Sequence, residues 1–245
     1  ATEGPLGWSA LQAAKVLKLP VTSDFRTNFQ SYSKHYGIGW LRKPIVAYLR
    51  KFHNATACTM VPTRELQRTL GENGFLNLKV VARGVDTSLF NSIKRDPQLR
   101  ASWGATDQTK VLISVGRMAP EKNLEQVLKV FDALKLLGTQ MKLVMVGDGP
   151  LKEQFKQRYP EIIFPGMLAQ VELAKYYASS DLFVFPSQTE TFGNVTLEAL
   201  ASGIPVLAFD CAAARDWVKT GVNGWLIPED QAAEFSAKAV EIFIS

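Results

Sequence analysis

At 245 residues, 47% hydrophobic and 21% charged, the chain can bury a large core in one or two domains, as ordinary globular proteins do. No apolar run approaches the roughly 18 residues of a membrane span and no basic-then-apolar leader opens it, so a cytoplasmic protein is expected. Two distant cysteines, Cys58 and Cys211, argue against a disulfide framework or zinc site, while 15 Lys and Arg against 6 Asp and Glu in residues 1–106, and 13 against 17 in residues 107–245, leave one half basic.

That basic half suits an acidic acceptor, an anionic membrane surface or nucleic acid. Its pattern is α/β, with helices predicted over 8–17, 29–36, 41–52 and 64–72 and strands over 21–25, 57–61 and 78–82. The helix around 41–52 is basic and amphipathic. Trp40, Leu41, Ile45, Val46, Tyr48, Leu49 and Phe52 alternate with Arg42, Lys43, Arg50 and Lys51, which fits a core-facing helix with a solvated basic side or a helix lying on an anionic bilayer. Both cysteines read as buried, inert thiols. His35 and His53 read as helix-surface residues without a role, and 91–107 as a linker.

From Lys110 onward, short β-branched apolar runs alternate with helical patterns, the mark of repeated βαβ units on a parallel sheet. Strands are predicted at 111–115, 142–146, 162–164, 182–185, 205–209 and 225–227. They are mostly continuous apolar runs, as strands covered on both faces require. Helices fill the gaps, among them 124–137, 194–202, 212–219 and 231–243. The expected organisation is an N-terminal domain over 1–106, with the linker, and a doubly wound C-terminal domain over 107–245. An open sheet edge would remain in the first, so further elements are expected on the N-terminal side and a last helix beyond the C-terminus.

Two strand-to-helix turns carry the chemistry. Ser114-Val115-Gly116-Arg117-Met118-Ala119-Pro120-Glu121-Lys122 leaves a buried strand, with Gly116 permitting close backbone approach and Arg117 and Lys122 supplying positive charge for a diphosphate. Pro186 through Glu198 leaves another strand and opens a helix. There the N–H groups of Phe192, Gly193 and Asn194 favour phosphate oxygens, and Glu190 and Glu198 can accept hydrogen bonds from sugar hydroxyls. Alone, the first turn also reads as a surface loop with two solvated cations, and Glu190 as a helix cap.

Together the turns resemble the retaining glycosyltransferases of family four, GT-B proteins with two Rossmann-like domains. Glu190 and Glu198 match the family's E-x7-E motif, Arg117 and Lys122 its diphosphate-binding pair, and Gly147-Asp148-Gly149-Pro150 the turn after its second C-domain strand. Thr2-Glu3-Gly4-Pro5-Leu6-Gly7, Thr27-Asn28-Phe29 and Gly84-Val85-Asp86 followed by Phe90 match upstream. The resemblance implies that Glu190 holds the transferred sugar and Glu198 the ribose hydroxyls. It also implies that Gly166, Met167 and Leu168 lie along the base and Gly4 and Arg26 face the acceptor. Arg26 stands where the family commonly has histidine, and it cannot accept a proton near neutral pH.

The subgroup resembles bacterial lipid-glycosylating mannosyl and glucosyl transferases. The expectation is a metal-independent, retaining hexosyltransferase without cofactor, taking a GDP- or UDP-sugar donor and a lipid or sugar acceptor. Peripheral contact with an anionic inner-membrane face belongs to this reading and nucleic acid does not. No D-x-D pair occurs, so Arg117 and Lys122 take the charge-stabilising role a metal has elsewhere. Paired glutamates also serve glycoside hydrolases, which have no use for cations aimed at a diphosphate. A nucleotide-sugar epimerase and an inactive donor-binding fragment stay open. A dinucleotide dehydrogenase is disfavoured because Lys152 replaces the third small residue of its fingerprint.

Overall fold

A computed structural model describes residues 2–26 and 42–244, in two compact units: Ala1–Arg83 with Thr189–Phe192, and Gly84–Gln188 with Gly193–Ser245. The predicted helix over 29–36, the Thr27-Asn28-Phe29 motif, His35, Trp40 and Leu41 lie outside the described residues.

In the first unit, α1 (Pro5–Val16), β1 (Thr22–Asp24), α2 (Arg42–Asn54), β2 (Cys58–Val61), α3 (Arg64–Glu72) and β3 (Leu78–Val80) follow in order. The sheet is parallel, ordered β1-β2-β3, with Ser23 opposite Thr59 and Thr59 opposite Leu78. Pro5 opens α1, where its missing N–H costs nothing. Thr63 caps α3 by accepting from the Leu66 N–H at 3.1 Å. Phe25, Leu49, Val61, Leu66, Leu70 and Phe75 form the core. On α2 the apolar side faces inward, with Leu49 and Phe52 buried and Lys43, Arg50 and Lys51 exposed. This agrees with the core-facing expectation for that helix.

Two expectations fail in this unit. His53 is not on the surface: it is fully buried among Phe25, Phe52 and Phe75, with Nδ1 2.9 Å from the Ser23 hydroxyl. The reason is its position one residue after Phe52, where the helix turns toward β1 and a cluster of hydroxyls satisfies the ring. Cys58 is half-buried, whereas Cys211 is buried as expected.

The second unit begins with a 3-10 turn (Ser92–Lys94) and α4 (Pro97–Ser102). There follow β4 (Lys110–Val115), α5 (Glu125–Leu136), β5 (Met141–Val146), α6 (Lys152–Arg158), β6 (Ile163–Gly166) and α7 (Gln170–Ala178). The remainder is β7 (Leu182–Phe185), α8 (Asn194–Ala201), β8 (Val206–Phe209), α9 (Ala212–Trp217), β9 (Gly224–Ile227) and α10 (Ala232–Ile244). All six strands are parallel, ordered β6-β5-β4-β7-β8-β9. Strand side chains alternate between two covered faces. Val111, Ile113 and Val115 pack beneath Tyr177 and Ala199, while Leu112, Leu143 and Phe209 pack beneath Val127, Phe131 and Phe235. That double burial is why these strands read as unbroken apolar runs.

The predicted linker is part of this unit, and the division between units falls after Arg83 rather than after residue 106. Asp96 caps α4, accepting from the N–H groups of Gln98 and Leu99, and Phe90 and Trp103 are buried. Arg100, 8% exposed at its side chain, donates to the Ser179 and Thr109 carbonyls, both at 2.8 Å, and to Asp181 at 3.0 Å. Asp181 also accepts from Arg95 at 2.9 Å and from the Val111 N–H at 2.8 Å. The polar composition that suggested a linker is instead the polar fastening of α4 to the start of β4 and β7.

Candidate functional site

In an open parallel sheet, ligands bind beyond the carboxyl ends of the strands where the chain reverses its direction of winding. Here that reversal lies between β4 and β7, which are neighbours with Leu112 opposite Leu182 and Ile113 opposite Phe183. The cation-bearing turn follows β4 and the glycine-opened helix follows β7. Asn123, the residue after Lys122, has φ +52°, and its side-chain amide donates to the Pro186 carbonyl at 3.4 Å. The two turns therefore leave adjacent parallel strands at the same end of the sheet.

Gly116 has φ +151°, and a β-carbon built there meets nothing within 4 Å, so this backbone is open to a ligand. Arg117 is 61% exposed and lies 3.5 Å from the buried Glu121 carboxylate, one helical turn on. Lys122 is half-buried at the end of the 3-10 turn Pro120–Lys122. Gly193 starts α8 in the left-handed region, at φ +88°, with no side-chain cap on the helix. Such a terminus presents N–H donors and the positive end of the helix dipole, an anion-binding arrangement.

Glu198, two-thirds of the way along α8, accepts a hydrogen bond from the Tyr177 hydroxyl at 3.1 Å. Burial raises its carboxyl above the usual range, and the Tyr177 bond partly opposes this. Burial, and then the charge of Glu198, push the Tyr177 hydroxyl well above its ordinary value. A half-buried carboxylate of this kind has lone pairs to spare for further hydroxyl donors. Thr189–Phe192, which carries Glu190 and Phe192, groups with the first unit, so the two glutamates of the motif belong to different units.

The turn Gly147-Asp148-Gly149-Pro150, read from sequence simply as a turn, is interlocked with the cation-bearing one. The Gly116 N–H donates to the Val146 carbonyl at 3.0 Å, Met118 to Asp148 at 2.8 Å, and Leu151 back to Met118 at 3.0 Å. A β-carbon on Gly147 would stand 2.0 Å from the Gly116 oxygen, which is why glycine is required there. Gly147 in turn donates to Gly166 at 2.9 Å, joining the end of β6. Together residues 115–117, 146–149 and 167–168 with Leu173 line a cavity of about 570 Å³. Met167 is 81% exposed at its mouth. Lys152 pairs with Asp148 at 2.9 Å, and that hydrogen bond with the Gly149 N–H holds the Asp148 carboxyl below its ordinary value. Asp148, Lys152 and Leu173 were not among the expected site residues, although the i,i+4 spacing of the first two signals a pair.

Gly4 and Arg26 of the first unit border the same space. They line a separate cavity of about 750 Å³ with Thr2, Glu3, Pro44, Ile45, Tyr48 and Leu49. The Arg26 side chain, 64% exposed, pairs with Asp24 at 2.7 Å, and Arg83 lies 3.6 Å from the same carboxylate. Among the described residues no group of three or more His, Cys, Asp or Glu side chains is placed to hold a metal ion. Nor is any helix among them long and apolar enough to cross a membrane.

Comparison with known proteins shows the family. A GDP-mannose-dependent alpha-mannosyltransferase of Corynebacterium glutamicum is 34% identical over 222 residues, covering 91% of this chain and 52% of the relative. The alpha-monoglucosyldiacylglycerol synthase of Streptococcus pneumoniae is 34% identical over 220 residues, covering 84% of this chain and 50% of the relative. The chain thus spans about half the length of these curated relatives. The fold is that of the GT-B glycosyltransferases: Anabaena HepE, solved with UDP and glucose, superposes with a TM-score of 0.77 at 21% identity, over 97% of this chain and 65% of that one. Residues 95–245 match the family described as glycosyl transferases group 1, and with that match and these relatives the chain belongs to this family.

Proposed function

We propose that this protein is a retaining hexosyltransferase that moves a sugar from a nucleoside diphosphate to an acceptor hydroxyl. The supporting observation is that the Arg117–Lys122 turn and the loop leading to α8 leave adjacent parallel strands at the switch point of the sheet. In this reading Arg117 and Lys122 bind the diphosphate and stabilise the charge that develops as it leaves, aided by the N–H groups of Phe192, Gly193 and Asn194. The part-buried carboxyl of Glu198, raised by that burial, takes the ribose hydroxyls. Gly166, Met167 and Leu168 lie along the base, beside the 570 Å³ cavity, and Glu190 holds the transferred sugar.

The departing phosphate accepts the proton of the acceptor hydroxyl on the same face of the sugar, so catalysis is positioning and electrostatics without an enzymic nucleophile. Gly4 and Arg26 stand on the acceptor side, where the 750 Å³ cavity is largely apolar apart from Arg26 and Glu3. A lipid acceptor suits that lining, and the diacylglycerol named in the pneumococcal relative points the same way.

The test is a panel of GDP- and UDP-hexoses with lipid and sugar acceptors, read by mass spectrometry. A product one hexose heavier than its acceptor is expected, with no turnover to an isomeric nucleotide sugar. Donor conversion to an epimer without acceptor would overturn the reading. Because the relatives are twice as long, a fragment that binds donor without transfer is the second reading, and calorimetry with GDP and UDP separates it from a fold that binds neither.

Peripheral binding to an anionic membrane belongs to the same proposal, resting on exposed Lys43, Arg50 and Lys51 along α2. Co-sedimentation with phosphatidylglycerol vesicles is expected to weaken several-fold when Lys43 and Lys51 are changed to Glu, and insensitivity to that change would remove this part.

A further inference from the structure

The buried polar cluster of the first unit contains a proton count that determines the state of His53. Ser23 Oγ lies 2.9 Å from His53 Nδ1, 2.9 Å from Thr56 Oγ1 and 3.0 Å from Thr59 Oγ1, and the Thr56 hydroxyl donates to the His53 carbonyl at 2.7 Å. These four short contacts each need a proton, and Ser23, Thr56 and Thr59 hold one apiece. The fourth must come from the ring. Nδ1–H therefore donates to Ser23, Ser23 to Thr56, Thr56 to the His53 carbonyl, and Thr59 to Ser23.

The consequence is that Nε2 is a bare acceptor. It points at another acceptor, Glu3 Oε2, 3.8 Å away, and both atoms are buried without a hydrogen-bond partner among the described residues. A second proton on the ring is opposed by its surroundings. Burial, and then the positive charge of the N-terminal amine, lower His53 to about 4 although Asp24 acts in the opposite direction, so the ring is neutral at physiological pH. Two buried acceptors facing one another at this distance call for a proton donor to both, because a buried polar atom left unpaired forfeits the hydrogen bonds it had in water.

Glu3 is also held from its main chain. The Tyr48 hydroxyl donates to the Glu3 carbonyl at 2.6 Å and accepts from the Trp8 indole N–H at 3.0 Å. Thus α2 grips the 2–4 turn at two points, through Tyr48 and through His53, and that turn is one wall of the 750 Å³ cavity.

We propose that His53 is a positioning residue: its bare Nε2 and the Glu3 carboxylate share one bridging water, and this link fixes the Thr2-Glu3-Gly4 wall of the cavity. Its bearing on transfer rests on the assignment of that cavity to the acceptor, whereas the link itself is read without any substrate.

The test is made on the whole chain. Long-range ¹H–¹⁵N correlation of the His53 ring is expected to show the Nδ1–H tautomer, unchanged from pH 8 to pH 5.5. Glu3→Ala removes one end of the bridge and should speed hydrogen exchange at the Trp8 amide and indole N–H about tenfold. Glu3→Gln supplies an amide donor directly to Nε2 and should keep both rates within about twofold of wild type. His53→Phe should match Glu3→Ala if it folds, and the Glu3 pair decides the matter if it does not. An Nε2–H tautomer, a ring that titrates between pH 6 and 7, or equal exchange in Glu3→Ala and wild type would each overturn the proposal.

Discussion

Arg117→Ala is expected to lower turnover by about a hundredfold or more, the scale seen when one preorganised stabilising donor is removed from a developing charge. The side chain is 61% exposed and its visible tie is a 3.5 Å pairing with Glu121, so the fold should survive its loss. Glu121 is 2% exposed, so losing this cation is expected to lower stability modestly, and thermal unfolding of the variant is recorded beside the kinetics. The loss should fall on kcat more than on donor KM, because the charge being stabilised grows as the diphosphate departs. Steady-state kinetics with the best donor of the panel checks this. A variant with wild-type kcat would show that Arg117 does not face the leaving group.

The second large effect is on stability. Arg100→Ala should destabilise the second unit by about 3–5 kcal/mol, the range found when one partner of a buried charge pair is removed. Four acceptors lose a donor at once, the Ser179, Thr106 and Thr109 carbonyls and the Asp181 carboxylate, and the Ser179 and Thr109 carbonyls among them are buried. For a chain of this size the shift in midpoint temperature is about 10 °C. Arg95→Ala removes the outer, 45% exposed guanidinium on the same carboxylate and should cost no more than about 1 kcal/mol. Urea titration of the two variants distinguishes a buried fastening from a surface ion pair, and equal losses would contradict the ranking.

The lesson for reading such a chain lies in these same residues. Val111–Val115, 182–185 and 205–209 were legible because double-sided burial writes itself as an unbroken apolar run, and the structure places strands within a residue or so of each. Arg117, Lys122 and Gly193 were placed by sequence in turns that follow buried strands, and the structure has those turns after β4 and β7. Residues 91–107 misled for the opposite reason: Asp96, Arg95 and Arg100 are polar in sequence, yet their partners Ser179 and Asp181 stand some eighty residues on. A pairing at that separation has no local periodicity. His53 misled in the same way, since a histidine between Phe52 and Asn54 shows nothing of Ser23 and Thr59, which approach it from two strands.

By itself, then, the sequence determined the class of the second unit, its strand and helix alternation and the two turns that carry charge and glycine, all of which follow from spacings within about twenty residues. Only the tertiary structure decided which turns leave adjacent strands, that Gly147 must lie flush against Gly116, and that Arg100 and His53 are interior. Those facts depend on strand order and on groups distant in the chain, and hydrogen-bond partners become specified only when the sheet brings them within about 3 Å.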